Sequence, residues 1–186
     1  MNTFELGNFT VGSGDPFFIL GPCGLEEEDF AWRMARALKE IADRLEIKFV
    51  FKASYDKANR TSVDSYRGPG VQEGCRILGE IGKDLGVPVT TDVHTPEEIE
   101  VAAKSIDLLQ IPAFLCRQTD LLAAAARSGR PINVKKGQFL APWDIEPILG
   151  KLRHFDCNQF AITERGTTFG YNNLVADMRS LPWMRE

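Results

Sequence analysis

A chain of 186 residues, 44% hydrophobic and 26% charged, carries enough apolar side chain for one sizeable core and is expected to fold as a single domain over residues 1–186. A net charge of −4 excludes nucleic-acid binding through a broad basic surface, which needs clustered Lys and Arg to release counterions. No stretch reaches the ~18 apolar residues of a membrane span and no signal-like leader opens the sequence, so a cytoplasmic setting without a membrane partner is expected.

The first short apolar run covers 17–20 and leads into Gly21-Pro22-Cys23-Gly24, not into a GxGxxG phosphate loop. Phe30, Met34, Leu38, Ile41 and Leu45 then recur at helical spacing and predict an amphipathic helix. The run 49–51 ends in Lys52-Ala53-Ser54 and opens into a donor-rich loop containing Lys57-Ala58-Asn59-Arg60-Thr61-Ser62. Val71, Cys75, Leu78, Ile81 and Leu85 predict the next helix. Further runs at 87–90, 108–111, 132–134 and 160–162 are followed by, or end in, Thr91-Asp92-Val93-His94, Gln110 ahead of Pro112-Ala113, Lys135-Lys136, and Thr163-Glu164-Arg165.

Continuous apolar runs alternating with helices form the pattern of a parallel sheet covered by helices. An open doubly wound sheet and a closed barrel both fit, and the missing dinucleotide fingerprint favours a (β/α)8 TIM barrel. Strand starts recur roughly every 29 residues against ~250 residues for eight units, so about the first six β/α units are expected. The four cysteines, Cys23, Cys75, Cys116 and Cys157, lack CxxC spacing and read as reduced thiols.

In such a barrel the chemistry gathers at the C-terminal strand ends. Lys52, Lys135 and Arg165 lie on three strand ends that a barrel brings to one mouth, where cations repel unless a phosphate or carboxylate sits among them. A lone lysine after a strand often only extends to solvent, so convergence carries this expectation. The loop 57–62 suits a second anionic group. His94 beside Asp92 is an acid–base partner or a structural histidine, with its strand-end position favouring function. Cys23 faces the same mouth as a ligand, a nucleophile or an inert small hydrophobe; to hold a divalent ion it needs His or carboxylate partners. His154, beside Lys151 and Arg153, reads as a solvated helix residue.

Phe51 to Ser62, Ser65-Tyr66-Arg67-Gly68-Pro69-Gly70, Thr91-Asp92-Val93-His94, Arg117-Gln118-Thr119-Asp120-Leu121, Asn133-Val134-Lys135-Lys136 and Phe169-Gly170-Tyr171-Asn172-Asn173-Leu174 together give the whole chain a specific likeness. It resembles the 3-deoxy-D-manno-octulosonate 8-phosphate synthases. The resemblance implies a transferase of lipopolysaccharide sugar biosynthesis that condenses phosphoenolpyruvate with D-arabinose 5-phosphate and water, releasing phosphate. It implies that Lys52, Ser54, Lys57, Gln110, Ala113, Lys135 and Arg165 hold phosphoenolpyruvate, that Asn59 and Arg60 hold the pentose phosphate, and that Asp92 lies beside the sugar. Lys52, Lys57, Asp92, Lys135 and Arg165 are the catalytic candidates. Cys23 matches the metal-dependent branch, implying a divalent ion such as Zn, Fe or Mn, and the family implies a homotetramer. That branch takes its other ligands, a His, a Glu and an Asp, from the last third of the barrel, which this sequence lacks. Metal binding and turnover by this stretch alone are therefore expected to be weak or absent. The nearest rival is a 3-deoxy-D-arabino-heptulosonate 7-phosphate synthase acting on erythrose 4-phosphate, whose loop usually has Lys-Pro-Arg where Ala58-Asn59-Arg60 stands. A non-catalytic remnant that binds sugar phosphates is a further alternative.

Overall fold

A computed structural model describes residues 3–185. Two short strands, β1 (Phe4–Leu6) and β2 (Phe9–Val11), form an antiparallel hairpin turned at Gly7, whose φ of 61° suits glycine. The chain then alternates strand and helix: β3 (Phe17–Leu20), α1 (Glu28–Leu45), β4 (Lys48–Lys52), α2 (Val71–Leu85), β5 (Val89–Asp92), α3 (Pro96–Ala102), β6 (Leu108–Ile111), α4 (Thr119–Arg127), β7 (Ile132–Lys135), α5 (Glu146–His154) and β8 (Phe160–Thr163). A second hairpin, β9 (Thr167–Phe169) with β10 (Asn173–Val175), precedes the short helix α6 (Ser180–Arg185).

Strands β3 to β8 pair in parallel, each beside its predecessor. A doubly wound sheet would reverse its strand order at a switch point; this one does not, so it curls as part of a (β/α) barrel with its helices on one side. Strand side chains divide accordingly. Phe49, Phe51, Val89, Leu109, Ile111, Ile132 and Val134 pack with helix residues such as Ala35, Leu78, Ile99 and Leu122 in the main core. The alternate positions Phe17, Ile19, Val50 and Leu108 meet Phe4, Leu6, Phe9 and Val11 of the first hairpin, which stoppers the concave side at its N-terminal end. Cys75, Cys116 and Cys157 are buried in the main core, whereas Cys23 is exposed.

Helix ends follow local chemistry. In α3, Pro96 follows Thr95, whose hydroxyl accepts from Glu98 N while the Glu98 carboxylate accepts from Thr95 N, a reciprocal cap. Small residues Ala31, Ala35 and Ala42 let α1 approach the sheet, and Glu28 and Asp29 sit favourably at its N-terminus. The strand expected at 87–90 runs instead over Val89–Asp92. Pro88 has no N–H for the ladder and Val87 N is spent on Gly82 O, closing α2, while pairing continues to Asp92 opposite Gln110. Among the described residues no helix is long and apolar enough to cross a membrane.

Candidate active site at the C-terminal strand ends

The concave-face alternation that puts Val50 and Leu108 against the hairpin puts Lys52 and Gln110, two residues further on, at the open end of the same face. Asp92 pairs in register with Gln110, and Gln110 with Asn133, which lies two residues before Lys135. The loop after β3 is drawn onto this rim. Gly21 (φ 151°) passes so close to β4 that a Cβ there would stand 1.9 Å from the Lys52 carbonyl oxygen, and Leu25 N donates to Ser54 O at 2.9 Å.

Three groups are joined through the Ser54 hydroxyl. Lys52 Nζ and Lys57 Nζ each donate to Ser54 Oγ at 2.9 Å, and Ser54 Oγ donates to Asp92 Oδ2 at 2.5 Å. Lys52 Nζ also donates to Cys23 O at 3.3 Å and lies 3.8 Å from Asp92 Oδ2. Gln110 Nε2 donates to the other carboxylate oxygen of Asp92. Burial pushes the Lys52 ammonium pKa down; Asp92 opposes this, and Lys57 and Lys135 add to it. Burial works against the Asp92 carboxylate too, yet Lys52, the Ser54 hydroxyl, the Gln110 amide and Lys135 together hold its pKa below the usual carboxylate range. Beside the Cys23 thiol, Lys57 lowers its pKa against the opposing effect of burial, with Lys52 and Arg60 contributing. One carboxylate thus faces three lysines, Lys52, Lys57 and Lys135, a positive excess suited to an anion.

The other candidates are placed as follows. Ala113 opens a buried 3-10 turn directly after β6. Asn59 and Arg60 are exposed on the loop between β4 and α2, whose base is pinned by Lys57 N to Arg67 O at 2.7 Å and by an Arg67–Asp56 ion pair. Arg165 is exposed after β8, and its side chain makes no ion pair among the described residues. Its backbone is fixed because Glu164 Oε1 accepts from Arg165 N at 2.8 Å and from Gly166 N. The neighbouring lysines separate by strand alternation: Lys136 is fully buried, donating to Leu140 O and Gly166 O at 3.0 Å, and so ties the loops after β7 and β8 together. His94, favoured from sequence as functional, is engaged by Glu98, which accepts from His94 N at 2.8 Å and lies 3.2 Å from Nδ1. The Tyr55 hydroxyl donates to that same Glu98 oxygen at 2.7 Å, with its ring packed edge-on to His94. His154 is exposed near the end of α5.

Two residues that sequence reasoning did not single out complete the rim. Asn133 Nδ2 donates to Gln110 Oε1 at 3.0 Å, and Thr163 Oγ1 donates to Asn133 Oδ1 at 2.8 Å. Their signal in the sequence was position just ahead of Lys135 and Arg165 and, for Asn133, a place in the Asn133-Val134-Lys135-Lys136 motif. For a metal, Cys23 contributes one donor, and no group of three or more His, Cys, Asp or Glu converges among the described residues. These residues alone do not make a metal site.

Comparison with known proteins fixes the lineage: the DAHP synthetase I family matches residues 3–186. The chain belongs to that family. Within it, the chain is similar to proteins named 2-dehydro-3-deoxyphosphooctonate aldolase. It is 51% identical over 187 residues to one from Desulfatibacillum aliphaticivorans, covering 100% of this chain and 68% of that protein. It is 54% identical over 179 residues to one from a Synechococcus species, covering 96% and 63%. It is 56% identical over 176 residues to one from Desulfotalea psychrophila, covering 94% and 63%. The chain therefore spans about two thirds of the length of the curated relatives it matches.

Proposed function

We propose that the protein condenses phosphoenolpyruvate with D-arabinose 5-phosphate and water to give 3-deoxy-D-manno-octulosonate 8-phosphate and inorganic phosphate, with the described residues supplying the anion-binding rim. The observation that carries this reading is the 51–56% identity, over nearly the whole chain, to proteins named for that aldolase chemistry. Clustered cations around a single carboxylate agree with two phosphorylated reactants.

Lys52, Ser54, Lys57, Gln110, Ala113, Lys135 and Arg165 hold phosphoenolpyruvate in this reading, and Asn59 and Arg60 hold the phosphate of the pentose. C3 of phosphoenolpyruvate bonds to the aldehyde carbon, the aldehyde oxygen takes up a proton, water adds at C2, and phosphate departs from C2. Fixed lysines meet the negative charge on the aldehyde oxygen and the leaving phosphate without reorganising. Holding both reactants face to face removes much of the entropic cost of joining them. For a divalent metal, Cys23 would supply one of the ~four donors such an ion takes. A homotetramer in the cytoplasm completes the proposal.

Phosphorus NMR of the intact protein with both substrates tests it. Phosphoenolpyruvate should be replaced by inorganic phosphate and a new sugar phosphate. The family match leaves erythrose 4-phosphate as the competing aldehyde. Faster consumption with that sugar would move the assignment to a 3-deoxy-D-arabino-heptulosonate 7-phosphate synthase, and substrate binding without product would leave a non-catalytic sugar-phosphate binder.

A further inference from the structure

On the β8 side, the rim ends in Asn133 and Thr163, to which the proposed reaction gives no substrate contact. Their hydrogen bonds have a direction. Thr163 Oγ1 donates to Asn133 Oδ1, Asn133 Nδ2 to Gln110 Oε1, and Gln110 Nε2 to Asp92 Oδ1. From the opposite side Lys52 and Lys57 donate to Ser54 Oγ, which donates to Asp92 Oδ2. Every donor in the line points toward one acceptor.

A primary amide has nearly the same shape either way round, so its direction is set by what holds each end. The Asp92 carboxylate can only accept, so it takes the Gln110 N–H; the Gln110 oxygen then accepts from the Asn133 N–H, and the Asn133 oxygen accepts from the Thr163 hydroxyl, which closes the far end of the line. Gln110 and Asn133 are each only 2% exposed, so reversing either amide alone would set acceptor against acceptor away from bulk solvent. Among the described residues Gln110 is the only hydrogen-bond donor to Asp92 Oδ1.

We propose that Asn133, backed by Thr163, is a positioning residue that holds the Gln110 amide in place against Asp92 and so holds the carboxylate that faces the lysines. The catalytic consequence rests on the proposed condensation; the orientation itself does not. The ionisable groups facing Asp92 are Lys52 from β4, Lys57 and Tyr55 from the loop after it, and Lys135 from β7.

The test is a double-substitution cycle in the intact protein, with two readouts. Asn133→Leu and Thr163→Val remove the donors without changing any charge, Thr163→Ser restores the hydroxyl, and Gln110→Leu removes the link. The first readout is the carboxyl carbon resonance of Asp92 followed against pH, which requires no turnover. Its midpoint should rise in Asn133→Leu and, less, in Thr163→Val, stay put in Thr163→Ser, and rise no further when Asn133→Leu is added to Gln110→Leu. The second is turnover, where kcat/KM should fall about tenfold in Asn133→Leu, again with no added loss in the Gln110→Leu background. Equal effects of Asn133→Leu with and without Gln110, or an unmoved Asp92 midpoint in both Asn133→Leu and Thr163→Val, overturn the proposal. A wild-type protein inactive on both substrates would reject the reaction and still leave the titration to decide the positioning.

Discussion

Lys52 sits where its own charge is disfavoured by burial, and Asp92 is the group that makes it tolerable. The sign of the Asp92 effect on stability follows from its lowered folded pKa. Its contribution is fully present above the unfolded value of ~3.9 and is lost as pH falls through the folded value below that. Asp92→Asn should therefore lower the thermal midpoint at neutral pH, and its difference from wild type should shrink as pH drops below ~4, read by thermal denaturation across pH. Arg60 lies close enough to act on Cys23 and is exposed on the loop. Arg60→Ala should weaken arabinose 5-phosphate binding by ~1.5–3 kcal/mol, the range for a charge-assisted contact, with an unchanged dissociation constant by calorimetry counting against it. Lys52 and Lys135 were legible in the sequence because each directly follows an apolar run. The contrast between Lys135 and Lys136 was not, since only strand direction shows which of two adjacent lysines turns into the core. The partners of His94 were not legible either, since a histidine after a strand has the same spelling whatever it faces, here Glu98 and Tyr55.

Among the elements, the β3 loop depends on Gly21, because its φ of 151° and the nearby Lys52 carbonyl leave no room for a side chain. Gly21→Ala should push the Cys23 segment off β4, costing stability by more than the ~1 kcal/mol of an unstrained glycine exchange and weakening anion binding together with it. The first hairpin is the other support. Phe9 is 5% exposed against Phe4, Leu6 and the concave strand residues, so Phe9→Ala should destabilise by ~3–5 kcal/mol in chemical denaturation. The six parallel strands and the helices α1 and α2 were readable because continuous apolar runs alternate with helical spacing along the chain. Neither hairpin was readable: each of their strands is three residues long, too short for a period to show, and what orders β1 and β2 is the underside of a sheet assembled from distant segments.

For the whole molecule, the decisive feature is a sheet whose strands follow sequence order and whose outer members, β3 and β8, each pair on one side only among the described residues. Both are only partly buried, unlike the fully buried β6. Unpaired edges of this kind recruit other strands. Residues 1–186 should self-associate with concentration, which sedimentation velocity would register; a monomer at every concentration would contradict this. That curvature also gives the strand-end cations their meaning, since only a barrel brings Lys52 and Lys135 to bear on the same carboxylate across three intervening strand junctions. Calorimetric titration of the intact protein with phosphoenolpyruvate, wild type against Lys135→Met, tests that claim most directly. Binding that weakens with salt and falls about tenfold or more in the variant is the predicted result; equal affinity in the two proteins, or no binding in either, would contradict it.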